Sequence, residues 1–279
     1  MKTILFPFIA ALGVVGTLGQ STTMQAKGNT LPPAGNNLIA IDVLLEPDRM
    51  MVVKANALND RLRGDYPAGY SLDATHAPHV SMLQRFVRAT DLDAVTAAVA
   101  KVLAAERPTD LQLTAKGIDY AMWAGVAVTV LLVERTPELM RLEEKIVDAV
   151  TPFSVSGGTA AAFVGTNANA ETIAYVETFV PKSSGTNYIP HVTAGVAREA
   201  FVKQLQAEPF QAFNFKPDGV AIYQLGNFGT ASKKLWQSAA SGTVAHLQIA
   251  AGSSGTARGS NTRCNSAETV QKRCRSTAL

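Results

Sequence analysis

Apolar and polar positions recur in a legible order along the middle of the chain. Asn37 to Leu45, with Leu38, Ile39, Ile41, Val43 and Leu44, predicts a strand, and Pro47 to Leu62 predicts a helix stopped by Gly64. His79 to Val87 predicts a second strand. Asp91 to Leu103 then sets Leu92, Val95, Val99, Val102 and Leu103 on one helical face, and Thr109 to Ala115 alternates as a strand does. The second half replays this order. Val126 to Val133 predicts a buried strand, a helix begins at Thr136-Pro137 with Leu139, Leu142, Ile146 and Val150 inward, and Glu171 to Val180 predicts a further strand. His191 to Val196, Arg198 to Leu205 and Gly219 to Leu225 follow as strand, helix and strand before a Gly226-Asn227-Phe228-Gly229 turn. Strand, helix, strand, helix, strand thus occurs twice, which predicts internal duplication, with residues 151 to 180 special to the second half.

The two ends differ from this middle. Met1 to Gly19 has one lysine, an apolar run from Ile4 to Leu18 and small residues before Gln20, the layout of a secretory leader, taken as residues 1–26. That run is shorter than the roughly 20 residues of a membrane span, and it contains Pro7, Gly13 and Gly16. The expectation is an exported protein, periplasmic or secreted, with no stable membrane insertion once the leader is removed. Residues 241–279 lack aromatic side chains and any sustained apolar period, and are predicted to be a disordered basic tail. The tail carries a net charge of +4 and residues 1–240 carry −1, so the pI near 8.8 belongs to the tail and does not argue that the folded part binds nucleic acid. Cys264 and Cys274 both lie in the tail, where export permits them to pair but no zinc spacing is present, and His246 there is read as inert. Residues 27–240 remain, enough to bury a core as one domain or two packed lobes.

Within that span two tetrads match: Pro78-His79-Val80-Ser81 and Pro190-His191-Val192-Thr193, 112 residues apart in a chain with four histidines. Each opens a strand that leads to a helix. Strand side chains alternate, so His79 and Ser81 share one face, as do His191 and Thr193, with the intervening valines opposite. Two imidazoles with pKa values near 6.5 can supply one base and one acid near neutral pH, and two hydroxyls can donate to phosphate oxygens. Which histidine takes which role stays open. Two further candidates for substrate contact are Arg85, on the predicted face of His79 and Ser81, and Tyr188, placed to stack on a base.

Two His-x-(Ser/Thr) tetrads in a duplicated chain resemble the 2H phosphoesterase superfamily, which includes bacterial 2′-5′ RNA ligase-like proteins and cyclic phosphodiesterases. The resemblance covers about residues 35 to 238, and Tyr223 to Ala231 is similar to the closing segment of bacterial members. It implies an α+β, bilobal duplicated fold, with two sheets facing a central cleft and helices outside. Lobe one would run over about 35–120 and lobe two over about 121–238. It further implies hydrolysis of a cyclic phosphodiester, in a 2′,3′-cyclic nucleotide or at an RNA end, or of a 2′-5′ linkage. His79 and His191 would be catalytic, Ser81 and Thr193 would bind phosphate, and no metal or cofactor would be needed. The partner would be a small nucleotide or RNA fragment, with no obligatory protein partner. Two alternatives stand beside it: an exported nucleotide-binding module without turnover, and a zinc hydrolase using His76, His79 and His191. There is no Walker A sequence and no Gly-x-Gly-x-x-Gly after a strand, so ATP is not implied.

Overall fold

Strand β1 (Leu38–Pro47) takes up the apolar run at the head of the first repeat, and a single residue separates it from helix α1 (Arg49–Asp65). That residue, Asp48, caps the helix by accepting from the Met51 N–H at 3.2 Å. The computed structural model describes residues 37–238; the leader, the tail and its His246, Cys264 and Cys274 lie outside the described residues. After α1 come β2 (Val80–Arg88), α2 (Leu92–Glu106), β3 (Leu113–Trp123), β4 (Val126–Val133), α3 (Pro137–Val150) and the two-residue β5 (Ser154–Val155). Then follow α4 (Ala170–Ser183), β6 (His191–Ala197), α5 (Glu199–Ala207), β7 (Phe213–Phe215), β8 (Pro217–Leu225) and β9 (Ala231–Gln237). The fold is α+β, and the strands form two antiparallel sheets.

The first sheet has the order β5-β2-β1-β8-β9 and the second the order β6-β4-β3-β7. The expected division of the lobes near residue 120 therefore needs correction. β3, from the first half, joins the second sheet, while β8 and β9, from the second half, complete the first. Local geometry explains the first exchange. Ala124 (φ 48°) and Gly125 (φ 84°) make a two-residue turn of the hairpin type, which pairs β3 with β4 and leaves β1 to take β8 as its other neighbour.

The helical stripes land as the spacing predicts: Val95, Val99 and Leu103 of α2 and Leu139, Leu142, Ile146 and Val150 of α3 are buried. Each fully buried aliphatic side chain contributes about 1.5–3 kcal/mol. They join one core shared by both sheets, with Ile41 and Val43 from one and Leu131 and Val192 from the other. Glu171 to Val180, expected as a strand, is helix α4. Asn169 caps it by accepting from the Thr172 N–H at 2.8 Å, and burial falls on Thr172, Val176 and Phe179, a helical spacing. No helix among the described residues is long and apolar enough to cross a membrane.

Candidate active site

Each motif strand carries the same irregularity. In β2, Ser81 pairs with Leu44 of β1 while Leu83 pairs with Val43, so Met82 is an extra residue. In β6, Thr193 pairs with Val130 of β4 while Gly195 pairs with Thr129, so Ala194 is extra. A bulge directly after each hydroxyl residue breaks the period-2 alternation. Ser81 and Gln84, three apart, consequently face the cavity, as do Thr193 and Val196. This corrects the placement of Arg85. The bulge turns it away from His79 and Ser81; it does not line the cavity, and its Nη1 donates to the Glu177 carbonyl of α4 at 3.3 Å.

The histidines are held alike. His79 Nδ1 lies 2.6 Å from the Ala77 carbonyl and His191 Nδ1 lies 2.7 Å from the Ile189 carbonyl, two residues upstream in each case. A carbonyl only accepts, so each Nδ1 carries the proton and Nε2 is the nitrogen left for chemistry. Burial pushes both imidazoles below their ordinary pKa. The hydrogen bond to the upstream carbonyl offsets this in each, the nearby Glu46 adds to the offset at His79, and repulsion from His79 lowers His191 further. Both rings, with Ser81 and Thr193, line one cavity of about 1060 Å³.

Beneath Ser81 lies Asp42, a residue that no motif or repeat in the sequence marks. It is fully buried on β1, opposite Gln84. Its Oδ2 accepts from Ser81 Oγ at 2.5 Å and from Gln84 Nε2 at 3.0 Å, and lies 3.7 Å from His79 Nε2. Burial pushes the carboxyl up to about 7 against the lowering effect of those two hydrogen bonds. The available signal was a carboxylate in the middle of an apolar strand, since a charge is seldom fully buried without a task. The other sheet has no counterpart: Val128 and Val196 occupy the positions equivalent to Asp42 and Gln84. Beside Ser81 the first sheet therefore adds the polar Gln84 to the lining, whereas beside His191 and Thr193 the second sheet adds Val126, Val128, Val130 and Val196. Trp123, Tyr175 and Phe228 form an aromatic rim in edge-to-face contact.

Tyr188 borders the cavity but is only 2 % exposed, and its hydroxyl donates to the Ser81 carbonyl at 2.8 Å. It ties the two motif segments together instead of offering an open stacking face. His76 is stacked on Tyr70, with ring centres 4.7 Å apart, and its Nδ1 lies 2.9 Å from Thr75 Oγ1 and 3.4 Å from Asp73 Oδ1. No group of three or more His, Cys, Asp or Glu side chains among the described residues is placed to hold a metal ion.

Under the second motif, Asn59 of α1 is 3 % exposed and fully used. Its Nδ2 donates to Ala194 O at 2.8 Å and to Tyr70 O at 3.0 Å, and its Oδ1 accepts from Leu72 N at 3.3 Å. One amide thus fixes the β6 bulge and the loop that leads to His79.

Residues 55–227 match the family model described as the 2′-5′ RNA ligase superfamily. Comparison with curated proteins gives no match. Among solved structures, the chain is similar to TT0787 of Thermus thermophilus, at 14% identity over 71% of this chain and 96% of that one, with a TM-score of 0.46. It is also similar to E. coli LigT complexed with 3′-AMP (9% identity, 72% and 96% covered, TM-score 0.37). A third is Kluyveromyces marxianus Usb1 with uridine monophosphate (12% identity, 73% and 99% covered, TM-score 0.34).

Proposed function

The chain belongs to the 2′-5′ RNA ligase superfamily, and on that premise we propose that it hydrolyses a cyclic phosphodiester, in a 2′,3′-cyclic nucleotide or at an RNA end, or a 2′-5′ linkage. The observation that carries this reading is the matched anchoring of His79 and His191, each held through Nδ1 by the carbonyl two residues upstream, on the wall of one cavity. In the reaction, the Nε2 of one neutral imidazole takes a proton from a water attacking phosphorus. The other ring, protonated, gives its Nε2 proton to the departing ribose oxygen, so one P–O bond forms as another breaks and the two rings exchange protonation states. The Ser81 and Thr193 hydroxyls donate to the non-bridging oxygens as charge builds there. Which ring acts as base depends on which ribose oxygen faces it.

The leader read in residues 1–26 extends the proposal: the enzyme acts after export, on nucleotides and RNA fragments outside the cytoplasm. The test of the reaction is a panel of 2′,3′-cyclic mononucleotides and short 2′-5′-linked oligonucleotides, with and without EDTA, followed by phosphorus NMR. The expected result is EDTA-resistant conversion to a single phosphate isomer. No turnover of any member by the folded protein would sink the reading, and loss of turnover only in EDTA would replace it with a metal-dependent one.

A further inference from the structure

Ser81 has one hydroxyl hydrogen, and as the site stands that hydrogen points the wrong way for catalysis. Directed to Asp42 Oδ2 at 2.5 Å, it leaves only lone pairs toward the cavity, and lone pairs repel a phosphate oxygen. Asp42 Oδ1 is buried with no hydrogen-bond partner, an arrangement that is costly for a carboxylate and much less so for a neutral acid. Thr193 meets no such competitor, because the position equivalent to Asp42 beneath it is Val128. The asymmetry therefore concerns Ser81 alone.

We propose that Asp42 is a positioning residue whose carboxyl holds a proton in the competent state and donates it to Ser81 Oγ, which turns the Ser81 hydrogen toward the substrate phosphate. The proposal rests on the phosphoesterase reading, and Asp42 lies outside the residues 55–227 that match the family model. No covalent transfer is involved; the hydrogen bond between the two side chains reverses its sense. An incoming phosphate anion works in the same direction, since its charge disfavours a carboxylate directly beneath it.

Several titratable groups surround Asp42. His79 precedes β2 with Nε2 at 3.7 Å. Tyr175 of α4 and Tyr188 before β6 each have their ionisation opposed in part by the Asp42 charge. Tyr223 of β8 pairs with Asp42 in register, but its hydroxyl is directed to Glu46 at 2.8 Å. Glu46, on β1 itself, is held by Lys234 of β9 at 2.7 Å. Burial acts on the two nearest partners in opposite senses, raising the Asp42 carboxyl to about 7 and lowering the His79 imidazole, so each favours its neutral form.

Two measurements test the idea, and they fail separately. With 2′,3′-cyclic nucleotide as the probe, log kcat/KM of the wild type should fall above neutral pH with the slope of two protons, one from the histidine acid and one from Asp42. Asp42→Asn, whose amide donates to Ser81 at every pH once Gln84 turns its unpartnered Oε1 toward it in place of Nε2, should fall with the slope of one and stay within about tenfold of wild type at acid pH, while Asp42→Ala loses more than about tenfold throughout. Equal slopes for wild type and Asp42→Asn, or an Asn variant as poor as the Ala variant, would overturn the proposal. Independently of turnover, infrared spectra of the full chain labelled with ¹³C-aspartate should show a protonated carboxyl band that fades as pH rises through about 7. Asp42→Asn should remove the band and Ser81→Ala should shift it, so the assignment survives if the Asn variant does not fold. Absence of the band overturns the proposal even in an active enzyme. A titrating band in a protein that turns over no cyclic phosphodiester leaves the Asp42 proton in place and refutes the phosphoesterase reading.

Discussion

At His79 and His191 the upstream carbonyl decides the tautomer, and burial decides the working pH. Both imidazoles titrate below 6.5, because the charged ring is desolvated. The proposed reaction needs one ring protonated and one neutral, and kcat/KM reports the free enzyme, so its pH optimum is expected on the acid side of 6.5. An optimum in the alkaline range would exclude this pair as the acid and base. His79→Ala and His191→Ala should each lower kcat by roughly 10²–10⁴-fold with an unchanged melting profile, since neither ring belongs to the hydrophobic core. At this scale the sequence was informative where chemistry repeats and silent where it does not. The two tetrads announce themselves by recurring, whereas Asp42 has only Val128 as its counterpart and was absorbed into the apolar run of β1.

At the scale of the elements, strict alternation fails at a bulge and single-residue strand preference fails at a capped helix. Strict alternation predicts Arg85 on the face of His79 and Ser81, whereas one extra residue at Met82 reverses its face and brings in Gln84. Thr172, Ile173, Tyr175, Val176, Thr178, Phe179 and Val180 favour strands individually, which predicts a strand where α4 stands, while the Asn169 cap and the buried spacing select a helix. The β6 bulge carries its own prediction. Gly195 has φ 149°, and a Cβ there would meet Asn59 Nδ2 at 2.7 Å. Gly195→Ala should therefore cost about 1–3 kcal/mol in urea unfolding. Asn59→Ala, which leaves the Ala194 and Tyr70 carbonyls and the Leu72 N–H without their partner, should cost at least about 2 kcal/mol and raise KM through the loop to His79. A fully stable Asn59→Ala would show that water replaces the amide and that the strut is dispensable.

For the whole molecule, charge and topology both bear on the substrate. Residues 37–238 hold 18 lysines and arginines against 21 aspartates and glutamates, a balance unlike that of a surface built to track a polyanion. Turnover of a short RNA ending in a 2′,3′-cyclic phosphate should accordingly change by less than about threefold between 50 and 200 mM salt, where a protein making several phosphate contacts loses orders of magnitude in affinity. A steep salt slope would point instead to a longer nucleic acid held over many phosphates. The duplication was legible from the order of elements, but the exchange of strands was not, because pairing partners distant in sequence leave no local pattern.

That exchange constrains how the cavity can admit a ligand. The chain passes between the sheets four times, and side chains from both sheets fill a common core. Spreading the two motif strands apart would tear that core along with the crossings, at a cost no small ligand could repay. On this topology the cavity is expected to act as a fixed mould and not as a pair of jaws, one that admits only a ligand already of nearly the right size and shape.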